Sequence, residues 1–196
     1  MFHKIPEKIL QRMEFLEEID SKDRVDGTER MQRLRQIPPE TGKFRALQLI
    51  NAPDGEIVEI GTSAGYSSLW LILASIERGS VLKTMELLPE KIDMAKNTFE
   101  KTGTTEYVDL MEGDALALIE QLDTIAFCFL DTEKELYHKL YPTIMDKMVK
   151  GGLLLADNVI NHAETLKEFL DTALNDERLD ALVVPIGNGV LLGRKI

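Results

Sequence analysis

The feature that most constrains this chain is an alternation of short apolar runs with amphipathic stretches, from Glu56 to the carboxyl terminus. The runs near 56–60, 81–85, 107–111, 125–130, 152–156, 181–186 and 190–194 are too short for helices and read as strands. Helical period fills the intervals near 64–77, 89–102, 115–121, 133–148 and 162–175. Strands joined through helices lie parallel, and the helices then cover both faces of the sheet. The last two runs depart from this rule. Only Gly187-Asn188-Gly189 separates them, a turn suited to an antiparallel hairpin. The expected fold is α/β: a Rossmann-like, seven-stranded, mostly parallel sheet with an antiparallel C-terminal hairpin strand and helices on both faces.

Ahead of the alternation, Ile5, Ile9, Leu10, Met13, Leu16 and Ile19 recur at helical spacing. Gly27 interrupts that pattern, and Pro38-Pro39 open a further helix through Leu49, with Pro39 suited to its first turn. No linker or repeat divides the chain. Residues 1–196 are therefore expected as a single domain, with 1–38 a helical amino-terminal extension and 39–196 the Rossmann-like core.

Composition bears on location and partners. No apolar run is long enough to cross a membrane, and the amino terminus lacks the apolar stretch of a signal peptide. Cys128 is the sole cysteine, which excludes an internal disulfide and fits a cytoplasmic location. A formal net charge of -11 disfavours broad electrostatic binding of nucleic acid. Lys22, Arg24, Arg30, Arg33, Arg35, Lys43 and Arg45 do gather near the amino end, where interspersed acids suggest a solvated helix surface.

In an open α/β sheet the ligand lies beyond the carboxyl ends of the strands, at the switch point beside the first. Here that strand carries Glu59 and runs into Gly61, Thr62, Ser63, Gly65, Tyr66 and Ser67. The two glycines permit close backbone approach, and the next helix offers free N–H groups. Their spacing is G-x-x-x-G, not the G-x-G-x-x-G of a dinucleotide fingerprint, which disfavours a pyrophosphate cradle and a nicotinamide-dependent reductase. Glu86, ending the second strand, can accept both ribose hydroxyls. Asp114 and Ala115, after the third, can meet an adenine amino group. An acid after a strand is commonly a helix cap, but three in register point to a nucleoside-type cofactor.

Together, VEIGTSAGYSS, Glu86, the GDA triplet, DTEKELY and GGLLLADN resemble the class I S-adenosylmethionine-dependent methyltransferases, and within them the cation-dependent O-methyltransferases of the catechol and caffeoyl-coenzyme A group. The resemblance covers roughly residues 38–196. It implies a methyltransferase domain that binds S-adenosylmethionine through the residues above and through Asp131.

Strand four ends in Asp131 and strand five in Asp157-Asn158. As neighbours, these ends bring two carboxylates and an amide together, either as ordinary strand-end residues or as a site for a hard cation. The resemblance implies the latter, with Asp131, Asp157 and Asn158 as metal ligands, Mg²⁺ first and Mn²⁺ or Ca²⁺ as substitutes. It also implies that Lys134 is the general base, taking the proton from an acceptor hydroxyl that the cation has made acidic. Thr132 with Glu135 and Asn161 with Glu164 have capping-box spacing and are expected to start helices. Trp70 and Cys128 read as core, the Tyr66 ring either as packing or as a cofactor contact, and His162 as a residue that could reach the acceptor.

Two departures fall around the acceptor pocket. Val159-Ile160-Asn161-His162 stands where the caffeoyl-coenzyme A enzymes continue with a Leu-Trp-x-Gly segment, and Glu133 where the catechol enzymes have tryptophan. The expected acceptor is a small hydroxylated molecule, an aromatic with adjacent oxygens. A hydroxylated tRNA base and a non-catalytic cofactor-binding role are the alternatives. A homodimer is expected from the relatives.

Overall fold

The computed structural model describes all residues, Met1–Ile196. The apolar runs become β1 (Glu56–Ile60), β2 (Leu82–Glu86), β3 (Val108–Glu112), β4 (Ile125–Leu130), β5 (Met148–Ala156), β6 (Leu179–Val184) and β7 (Val190–Lys195). They form one sheet in the order β3-β2-β1-β4-β5-β7-β6. All pairs are parallel except β5–β7 and β6–β7, so the turn at Gly187-Asn188-Gly189 closes the expected antiparallel hairpin. The order reverses at β1, which leaves the switch point between β1 and β4.

The helices are α1 (Glu7–Asp23), α2 (Pro39–Ile50), α3 (Tyr66–Arg78), α4 (Pro89–Thr102), α5 (Ala115–Leu118), α6 (Tyr137–Lys147) and α7 (Lys167–Asn175). Alternation along each strand divides the core between the two faces. Ile57, Phe127, Phe129, Leu153 and Leu155 face one apolar cluster, shared with α1, α2 and α3. Val58, Ile60, Cys128, Leu130, Leu154 and Ala156 face the other, shared with α6 and α7. Trp70 and Cys128 lie in these clusters as expected. No helix is long and apolar enough to cross a membrane.

Three boundaries differ most from the sequence reading. β5 begins at Met148 rather than near 152, because Met148 pairs with Ile125 before the register shifts. Neither capping box starts a helix. Residues Lys134–Leu136 form a 3₁₀ turn ahead of α6, without a side-chain cap from Thr132. Helix α7 begins at Lys167, not near 162, because the chain before it is stitched to the hairpin tip. Val159 donates to the Gly189 carbonyl at 3.1 Å, while Ile160 and Asn161 donate to that of Asn188.

The expected helical extension over 1–38 holds only as far as Asp23: residues 24–38 form no regular helix and run as a strap across the carboxyl end of the sheet. Irregular backbone needs partners from outside itself, and side chains supply them. Asp23 accepts from Leu34 N–H at 2.7 Å and Asp20 from Gln36 N–H at 2.9 Å. The buried Lys91 ammonium donates to the carbonyls of Gln32 and Arg33, and the Ser63 hydroxyl to that of Leu34.

Candidate active site

Beyond the strand ends the ladder continues by one residue. Gly113 N–H donates to the Glu86 carbonyl, Gly61 to Met85, Asp131 to Ile60 and Asp157 to Leu130, at 2.8–3.0 Å. These bonds fix where each site loop leaves the sheet. Above them lies a cavity of about 340 Å³, a size suited to a nucleoside-type ligand. Its lining includes Gly61, Thr62, Ser63, Tyr66, Ser67, Glu86, Asp114, Ala115, Asp131, Lys134 and Asn158. Its opposite wall is the strap, through Met31, Leu34, Arg35 and Ile37. All three non-glycine residues with positive φ, namely Arg35, Ser63 and Asn158, border this cavity. Such conformations cluster at sites where geometry matters more than local energy.

The loop after β1 depends on glycine. Gly61 has φ 105°, and a Cβ there would stand 2.1 Å from the Asp131 carbonyl oxygen. Gly65, at φ 84°, stands at the N-terminus of α3 but is not among the lining residues. Tyr66 lines the cavity with its ring packed edge-on to Trp70, while its hydroxyl donates to Glu17 at 2.5 Å. Burial, and then that carboxylate, raise its hydroxyl well above the ordinary tyrosine range.

Glu86 receives three backbone N–H groups: Ser63 on one oxygen at 2.8 Å, Leu87 and Leu88 on the other at 2.9 Å. A carboxylate has about four acceptor positions. It is therefore held rigidly and has one position left rather than the two the sequence reading assigned to ribose. Asp114 caps α5 by accepting from Leu116 N–H at 2.9 Å, while still bordering the cavity. Glu59 requires a correction. It is fully buried and does not line the cavity. Its oxygens accept from the hydroxyls of Ser67, Ser68 and Thr84, and Thr84 in turn pairs with Thr62. Glu59 braces the cofactor loop from behind, because its place in the alternation directs it into the sheet–helix interface.

At the other end Asp131, Lys134 and Asn158 line the cavity, while Asp157 converges on them from behind and is not itself among the lining residues. The Asn158 amide nitrogen stands 2.9 Å from Asp131 Oδ1 and 3.1 Å from Asp157 Oδ2. The largely buried Lys134 ammonium donates to Asp131 Oδ1, the Thr132 carbonyl and the Tyr137 hydroxyl, at 3.0–3.1 Å. Asp157 is 1% exposed, and its Oδ1 has no hydrogen-bond partner. Burial first, and the Asp131 charge second, push its carboxyl up to about 7. Two carboxylates and an amide, one oxygen buried and unsatisfied, form a hard donor set that fits a divalent cation. The amide now presents nitrogen to both acids, and turning about its terminal bond exchanges this for oxygen.

Sequence reasoning missed the strap as a wall of the site. Arg30 and Arg35 both reach Glu133, at 3.6 and 2.8 Å, which ties the strap to the loop after β4. Burial raises the Glu133 carboxyl, but these arginines prevail and hold it below the usual range. The basic cluster was the available signal, and a solvated-surface reading fails for it most clearly at Arg45, which is fully buried. His162 and Asn161 also border the cavity, beside Asn158.

The O-methyltransferase family profile matches residues 11–196. Caffeoyl-CoA O-methyltransferase 2 of Eucalyptus globulus is 30% identical over 175 residues, 76% of this chain and 70% of the relative. A catechol O-methyltransferase of Niastella koreensis is 31% identical over 139 residues, 67% of this chain and 62% of that protein. The crystal structure of an SAH-bound methyltransferase from Podospora anserina superposes with a TM-score of 0.82 at 22% identity, over 98% of this chain and 89% of that one. That likeness bears on the fold, and the family match carries the identity: this chain belongs to the O-methyltransferase family, within the class I S-adenosylmethionine-dependent enzymes.

Proposed function

We propose that this protein transfers the methyl group of S-adenosylmethionine to a hydroxyl oxygen of a small acceptor, an aromatic with adjacent oxygens, with help from a divalent cation held by Asp131, Asp157 and Asn158. The single observation that carries the metal reading is the buried, unpartnered Asp157 Oδ1 beside a second carboxylate. Like charges at such a site are costly unless a cation joins them. When bound, the cation makes an acceptor hydroxyl more acidic and orients it. Mg²⁺ suits the oxygen donors, and Mn²⁺ or Ca²⁺ can substitute.

The chain's own groups do the rest. The loop Gly61–Ser67 and Glu86 receive the nucleoside, Glu86 with its one remaining acceptor position. Asp114 and Ala115 border the base. Lys134 lies between Asp131 and Tyr137 and takes the acceptor proton, which requires its amine to be neutral at that moment. Strap residues Leu34 and Ile37 exclude water from the reacting atoms, and Asn161 and His162 border the acceptor.

A second reading, a hydroxylated tRNA base as acceptor, draws on Arg24, Arg30 and Arg35 at the rim of the cavity. The net charge of -11 weighs against it. Binding of tRNA that weakens steeply with salt would favour this reading.

Calorimetry with S-adenosylmethionine, followed by methyl transfer to a catechol probe with Mg²⁺, tests the leading proposal. Cofactor binding with transfer that Asp157→Ala abolishes is the expected result. Cofactor binding with unchanged transfer in Asp157→Ala would remove the metal site, and no cofactor binding at all would remove the reaction.

A further inference from the structure

Arg45 is the most anomalous charged group in the molecule. It projects from the buried face of α2, which also carries Thr41, Gly42, Ala46 and Leu49, and no part of it reaches solvent. No protein group accepts a hydrogen bond from its Nε, Nη1 or Nη2. Its guanidinium carbon lies over the Phe129 ring, 3.7 Å from the centroid. A buried guanidinium without hydrogen bonds is expensive, and one cation–π contact offsets only part of that cost.

The sheet register explains what else faces it. Phe129 pairs with Glu59 on one side and Leu155 on the other. Side chains two residues apart share a face. Asp131 follows Phe129 by two, and Asp157 follows Leu155 by two, so the alternation places Glu59, Asp131 and Asp157 on the face of the sheet that carries the Phe129 ring and Arg45. The same three carboxylates, Glu59 first, oppose the desolvation that lowers the Arg45 pKa. Glu59 accepts three hydroxyl donors and has no cation in contact with it.

We propose that Arg45 is a positioning residue: a buried counter-charge shared by Glu59 and Asp157, which holds the acidic end of the site together from behind and moderates its pull on a divalent cation. It lies under the cavity rather than in it, so it acts through the carboxylates and not on the acceptor. The cation arm rests on the proposed function. The counter-charge arm does not.

The test uses the full chain in chelator, comparing thermal unfolding of the wild type, Arg45→Met, Glu59→Gln and the double variant. Removing one side of a buried charge set is strongly destabilising, while neutralising both sides is far milder. Arg45→Met is expected to lower Tm by roughly 10 °C, Glu59→Gln to restore at least half of that loss, and Arg45→Lys to stay closer to wild type. If Arg45→Met does not fold, the double variant should. Strictly additive losses, or a double variant that also fails to fold, would overturn the proposal by reducing Arg45 to a space-filling residue. Mn²⁺ titration supplies the readout that simple packing would not move. Affinity should tighten about tenfold in Arg45→Met, as expected when a buried positive charge near a cation site is removed. Equal affinity in both proteins would contradict the moderating role. If the wild type itself binds no Mn²⁺, the proposed metal site fails, and the stability cycle alone decides for or against Arg45.

Discussion

The two ends of the cavity are built differently. At the end formed by β1, β2 and β3, each acidic side chain is satisfied by the protein: Glu86 by three N–H groups, Asp114 by its helix, Glu59 by three hydroxyls. At the end formed by β4 and β5, Asp131, Lys134, Asp157 and Asn158 partner mainly one another, and one carboxylate oxygen has no partner. The first end is preorganised and needs only a ligand of the right shape. The second leaves a buried carboxylate oxygen without a partner, which the proposed cation would satisfy. On the proposed function, binding geometry and reactive chemistry would be separated on one sheet.

Substitutions can break this contrast. The largest effect is expected for Asp157→Ala, which should lower kcat/KM for a catechol probe by about 10³-fold, since a catalytic cation supplies several kcal/mol, while S-adenosylmethionine affinity stays within roughly threefold. A comparable loss of cofactor affinity would show that the two ends are not separable. Lys134→Met should lower kcat by about 10²- to 10³-fold, in the range of general-base catalysis, without weakening Mn²⁺ binding. A kcat within a few fold of wild type would remove Lys134 from proton transfer. Glu86→Gln should do the reverse, weakening cofactor binding about tenfold, the scale of one hydrogen bond to a charged group. Its metal response should be intact, and unaltered cofactor affinity would count against ribose contact.

The smallest effect concerns pH. The folded Asp157 carboxyl is raised from 3.8 to about 7, so between those values the cation-free folded state holds a proton that the unfolded chain releases. The stability this group contributes is fully present below pH ~4 and is lost as pH rises through about 7. Thermal unfolding in chelator should show that decline, shallower in Asp157→Asn and in wild type with saturating Mg²⁺. An identical pH slope in Asp157→Asn would assign the decline to other groups.

Much of this was legible because it follows local rules. Apolar runs marked the strands, the turn at Gly187-Asn188-Gly189 marked the hairpin, and the site loops lie where strands end, as at Gly61, Glu86 and Asp131. What escaped depends on contacts distant in sequence. The strap has no period, because Asp20, Asp23, Ser63 and Lys91 hold its backbone in place. The late start of α7 reflects bonds to Asn188 and Gly189. Glu59 looked like a cofactor ligand because its position beside Gly61 was clear while the direction of its side chain was not. Arg45 stands four residues from Thr41 and from Leu49, a helical spacing that signals burial and that its charge obscured.

The most direct measurement is methyl transfer from saturating S-adenosylmethionine to a catechol probe, first in chelator and then with Mg²⁺ restored. A rate near background in chelator that recovers on addition of Mg²⁺ is the predicted result. Equal rates in both conditions would contradict a role for the acidic end as a cation site, and leave it as a structural feature of the sheet.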